Sequence, residues 1–183
     1  HVKSSSGGSA TIGGAGDLTF YNLTFDPAVG SAPTFTLGSS AGQTITVANA
    51  LTIGNGSNGA IVTMATNDPI FDVNGDITIS ASGTFVASDT AAFTAAGSWT
   101  NAGTFTHSSG TITFDASIPG KTINAGGIGA GKDFNKVVFN HGNGGWLIQT
   151  NDMKTASDLT ITDIGVLTLD SGRTLEVGGT YSI

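Results

Sequence analysis

The chain repeats itself, and this constrains its fold more than any other feature. Asp76-Ile77-Thr78-Ile79 returns 82 residues later as Asp158-Leu159-Thr160-Ile161. Without a gap, the same offset pairs Gly83 with Gly165, Phe85 with Leu167, Phe93 with Leu175, Gly97 with Gly179 and Trp99 with Tyr181. A longer offset of 114 residues sets Phe20–Phe25 against Phe134–Phe139 and then brings Phe35 and Trp146 to matching places after a shorter loop. Thr11-Ile12 likewise answers Thr122-Ile123. The smaller units run from Leu51 to Ile77, 26 residues, and from Ile77 to Trp99 and Leu159 to Tyr181, 22 residues each. A unit this short has room for two or three brief strands and their turns, too few to bury its own apolar side chains, so it must stack on its neighbours. The spacing divides the chain into a first module, 1–113, and a partial second module, 114–183, continuous in one elongated domain.

The units themselves read as strands. Ile77-Thr78-Ile79, Phe85-Val86-Ala87, Thr111-Ile112-Thr113-Phe114, Leu167-Thr168-Leu169 and Leu175-Glu176-Val177 alternate and are bounded by Gly, Asn, Asp or Ser. Branched Thr, Val and Ile suit a pleated surface, and no helical stripe of useful length is present, so helix should be nearly absent. The expected fold is all-β, a parallel β-solenoid of eight or nine coils and about 40 Å. Ile77, Trp99, Leu159 and Tyr181 would share one kind of column position, and Phe85, Phe105 and Leu167 another. Gly83, Gly103 and Gly165 would turn the corners with positive φ. The same strands also permit an antiparallel β-sandwich, a pilin-like subunit completed by a neighbour's strand.

Gly97-Ser98-Trp99-Thr100-Asn101-Ala102-Gly103-Thr104-Phe105, followed by Gly110-Thr111-Ile112-Thr113-Phe114-Asp115, resembles the "WTN-GTF…GTITFDG" repeats of large microbial surface and adhesin-like proteins. Lys121-Thr122-Ile123 and Phe134–Phe139 continue the resemblance. It implies a secreted, repetitive, β-rich architecture and brings no catalytic residues with it.

Composition narrows the function classes. Leu, Ile, Val and Phe make up about a quarter of the chain, enough to build a core. Only 10% of residues are charged, so Ser, Thr, Asn and Gly must provide the polar surface. A net charge of −7 with no basic cluster works against a nucleic-acid partner. The absence of cysteine removes disulfides and thiolate metal sites. No apolar run is long enough for a membrane span, and no signal segment is visible. A chain that opens at His1 rather than Met reads as a processed product, a trimmed form or an interior piece of something longer.

The chemical motifs are few. Gly54-Asn55-Gly56-Ser57-Asn58-Gly59 has dinucleotide-loop spacing but leads into the strand Ile61-Val62-Thr63-Met64 rather than a helix, so it is a turn. Asp72, Asn74 and Asp76, with Asn67 and Asp68 nearby, set oxygen donors at alternate positions and offer calcium a site, the one cofactor the sequence suggests. An EF-hand is excluded, since its twelfth position is Gly83. His1 paired with His107 or His141 would give copper its amine and imidazoles, as in copper-dependent polysaccharide oxygenases, although neither histidine lies in a sequence resembling them. Ser108 beside His107 is adjacency, not a triad. Asn22 and Asn55 head N-glycosylation sequons, of which Asn55 is the better exposed candidate. Thr34-Phe35-Thr36, Thr44-Ile45-Thr46, Thr104-Phe105-Thr106 and Thr111-Ile112-Thr113 hint at a flat outward Thr array for ice or glycan, while also fitting ordinary alternation. Trp99, Trp146, Tyr21 and Tyr181 could stack on sugars, but their repeat positions favour packing.

The reading that follows is a non-enzymatic structural subunit of an extracellular filament or cell-surface layer. It would assemble with other copies of itself through strand edges exposed at its ends, by head-to-tail stacking or strand donation. Its rivals are a glycan-binding surface adhesin segment and a polysaccharide-degrading β-helix enzyme, the latter short of clustered Asp, Lys or Arg on one face.

Overall fold

The computed structural model describes residues 8–27 and 32–183, so His1 and Val2 lie outside the described residues. Alternating burial along nearly every segment, such as Thr44-Ile45-Thr46-Val47, sends branched or aromatic side chains inward and Thr outward, the period-two signature of a strand. No helix forms among the described residues.

The strands wind into about seven turns. The first turn holds β1 (Ala10–Ile12) and β2 (Leu18–Phe25), and the second β3 (Thr34–Leu37) and β4 (Thr44–Ile53). The third has β5 (Ile61–Thr63), β6 (Ile70–Val73) and β7 (Ile77–Ile79), and the fourth β8 (Thr84–Val86), β9 (Phe93–Ala95) and β10 (Trp99–Asn101). The fifth has β11 (Thr104–Thr106), β12 (Thr111–Phe114) and β13 (Lys121–Asn124). β14 (Lys136–Ile148) carries the sixth, and β15 (Met153–Thr155) and β16 (Leu159–Leu169) the seventh. β17 (Leu175–Val177) and β18 (Tyr181–Ser182) begin another. At about 4.8 Å per turn the rod is roughly 34 Å long, somewhat shorter than the sequence-derived figure. The boundary between residues 113 and 114 falls inside β12, and the core runs on across it.

Every pairing is parallel, which excludes the antiparallel sandwich. The turns present three faces. The first is the sheet β1-β3-β5-β8-β11, resumed further on by β15-β17. The second and third share one sheet, because β2, β4, β14 and β16 bend from one face into the next, with register shifts in β2 and β14.

Inward positions form the expected apolar columns, with different members. On the second face the column is Leu18, Ile45, Phe71, Phe93, Ile112, Val137, Leu159 and Tyr181. On the third it is Leu23, Leu51, Ile77, Trp99, Ile123, Ile148 and Leu169. Ile77 therefore stacks on Trp99, and Leu159 on Tyr181, but the two pairs occupy separate columns. Phe85 and Phe105 stack on the first face, while Leu167 pairs with Trp146 on the third. The physical reason is that each repeat copy lands one face earlier than its original, so the repeating unit is a strand with its turn rather than a whole coil.

Aromatic rings fill the centre in a continuous run from Phe71 to Trp146, including Trp99 against Phe105 with centroids 4.9 Å apart and Phe114 against Trp146 at 4.8 Å. Trp99 and Trp146 are buried as expected, whereas Tyr21 (73% exposed) and Tyr181 (53%) are not. Tyr21 sits at the β2 register shift, and Tyr181 continues the second-face column past Leu159.

Gly83, Gly103 and Gly165 turn corners without positive φ. Glycine is needed there for a different reason. A Cβ on Gly83 would collide with the Ile53 carbonyl of the turn below, and one on Gly103 with the carbonyls of Ser80 and Gly83. For Gly165 the nearest obstacle is the Gly144 carbonyl oxygen, 2.8 Å away. The constraint is backbone stacking at the corner.

Candidate functional site

The corners are held by carboxylates that reach from one turn to the next. The backbone N–H of Thr44 donates to Asp17 at 2.8 Å, that of Ser98 to Asp76 at 2.8 Å, that of Thr174 to Asp152 at 3.0 Å and that of Thr180 to Asp158 at 3.0 Å. Ion pairs also bridge adjoining turns, among them Lys136–Asp158 at 3.5 Å, Lys154–Glu176 at 2.6 Å and Arg173–Asp152 at 3.7 Å.

The proposed calcium ligands make hydrogen bonds of their own within the fold. Asp72 stands outward on the second face, where it accepts the Thr94 hydroxyl at 2.8 Å and the Asn74 amide at 3.3 Å. Asp76 lies past the corner and receives Ser98. Asp68 accepts the Ser88 hydroxyl at 2.7 Å, and Asn67 donates to the Gly38 carbonyl at 2.7 Å. Asp72 and Asn74 are thus together, while Asp76 serves a different neighbour. Among the described residues no three of His, Cys, Asp and Glu form a group able to hold a metal ion.

His107 and His141 lie at corners of different turns, where each ring Nδ1 accepts a backbone N–H two residues on, Ser109 at 3.0 Å and Asn143 at 3.4 Å. His1, their suggested copper partner, is outside the described residues. Both sequon asparagines are exposed. Asn22 accepts the Asn49 amide at 2.8 Å and the Ala50 N–H at 3.1 Å. Asn55 closes the Gly-rich turn by accepting Ser57 and Asn58, and its own amide donates to Asp26 at 2.6 Å.

Asp115 was a motif letter in the sequence and is a distinctive group in the fold. One of its oxygens is buried without a partner, and burial, followed by the charge of Asp72, pushes its carboxyl above the ordinary range. No sequence signal marks it, because its environment is made by Asp72, two turns away.

An apolar surface lies at the C-terminal end of the rod. Leu159, Ile161, Leu167, Leu169, Leu175, Val177 and Tyr181 line an open concavity there, with Leu169 40% exposed. Among the described residues no strand pairs the outer edges of β17, β18 or the Val166–Leu169 part of β16.

The strand order defines a three-faced parallel β-solenoid. Compared with known proteins, the chain matches no family model, no curated protein and no solved structure. No helix is long and apolar enough to cross a membrane, which says nothing of strands.

Proposed function

We propose that the chain is a structural subunit of an extracellular filament or cell-surface layer, built by stacking copies of itself end to end. The observation that supports this most is the parallel stacking of turns, in which each coil offers the next its strand edges and its share of continuous apolar columns. Such an edge accepts another parallel strand, and inward Leu and Val side chains gain burial from a surface of the same shape. A coil of this solenoid has that shape. End-to-end contact between copies is heterologous, and because successive coils are displaced along one axis it grows into an open filament rather than a ring. The extracellular setting rests on the resemblance to surface-protein repeats and on the low charge.

Sedimentation velocity over a range of concentrations tests the proposal. The native chain should form a ladder of species that grows with concentration, and Leu175→Lys with Val177→Lys should leave monomers of unchanged β content. A native chain that stays monomeric throughout, or variants that assemble equally well, would overturn it.

A further inference from the structure

The first face differs from the others in its chemistry. Its strands β1, β3, β5, β8 and β11 pair in register without a shift. Two outward rows result. One is Thr11, Thr36, Thr63, Val86 and Thr106, and the other Thr34, Ile61, Thr84 and Thr104. Every member is β-branched, none is charged, and seven of these nine side chains are Thr.

Of those Thr hydroxyls, only that of Thr63 makes a hydrogen bond among the described residues, accepting the Ala65 N–H at 3.3 Å. The rest have one donor and two acceptor positions each to offer outward. β-Branching stiffens χ1, so hydroxyls and methyls are held in place before anything binds. The mesh is set by the fold at about 4.8 Å between turns and roughly 6.6 Å along each strand.

The second face differs. Asp72 interrupts its Thr row and takes the Thr94 hydroxyl, and Lys136 interrupts the row of Thr111. The third face carries one row, through Thr24, Thr52, Thr78 and Thr100.

We infer that the first face binds ice. A rigid, uncharged, two-row mesh of hydroxyls and methyls fits the regular oxygen spacing of an ice prism face and orders water against it. A glycan would need other features. The exposed tyrosines, Tyr21 and Tyr181, belong to the second-and-third-face strands β2 and β18, so no exposed aromatic ring stands on the first face to stack on a sugar. The face runs along the rod, so end-to-end stacking leaves it uncovered, and the inference does not depend on assembly.

Thermal hysteresis and ice-recrystallisation inhibition of the full chain test this, beside Thr36→Lys with Thr84→Lys on the first face and Thr52→Lys with Thr78→Lys on the third. The native chain and the third-face variant should separate freezing from melting and stop grain growth, and the first-face variant should lose both effects while keeping its circular dichroism. If that variant fails to fold, Thr84→Lys alone carries the comparison. Absence of both effects in the native chain, or equal loss in both variants, overturns the inference. So does binding to crystalline cellulose or chitin that the first-face variant abolishes when ice activity is absent.

Discussion

At the scale of single residues, backbone approach governs the corners. Gly97 stacks so closely on Gly75 that any Cβ would strike its carbonyl group. Gly97→Ala should therefore cost about 3 kcal/mol or more in urea unfolding, within the range of severe steric defects. Gly16, with open space around it and no positive φ, should tolerate Ala within about 0.5 kcal/mol. Equal effects at the two sites would contradict corner stacking. Asp115 gives a titration test. Its native pKa is raised by burial and by Asp72, with its own backbone N–H and then His141 pulling the other way. The fold therefore disfavours its charged form, a penalty absent below the unfolded pKa and growing as pH rises through the native one. Asp115→Asn should raise Tm at neutral pH and leave it unchanged in acid, whereas the same shift at both would show that charge is not the cause.

At the scale of strands and columns, the turns share a core that none could form alone. Trp99 is fully buried, packs against the rings of Phe105 and Phe134 in the turns that follow, and its indole N–H has no partner. Trp99→Ala should cost about 3–5 kcal/mol in denaturant unfolding, and Trp99→Phe much less because no hydrogen bond is lost. Asp158 sets an acid limit, since the Thr180 N–H holds its carboxyl below the usual range, with Lys136 adding to the effect. A depressed native pKa stabilises above the unfolded value, and this is lost as pH falls through the native one. Asp158→Asn should accordingly flatten the acid limb of Tm against pH, and an unchanged limb would contradict the turn-to-turn cap. Alternation made the strands legible, as in Thr104-Phe105-Thr106, because inward and outward positions differ chemically. Column membership was not legible, because the three faces use the same residue types and Leu159 suits the second face as well as Ile77 suits the third. The glycine corners were visible in the sequence, but their cause depends on the distance between turns.

At the scale of the whole molecule, stability comes from parallel stacking, with neither cysteine nor a clustered metal site among the described residues. Since Asp72 and Asp76 are already engaged by Thr94 and Ser98, Tm should not move when a chelator is added, and a fall restored by calcium would reinstate an ion there. The lining of the C-terminal concavity by Leu, Val and Tyr emerges only once each residue has a face. Parallel stacking of coil on coil carries the functional account. Electron microscopy of the purified chain at increasing concentration tests it most directly. The account predicts unbranched filaments one rod wide that lengthen with concentration, and isolated short rods of about 34 Å at every concentration would contradict it.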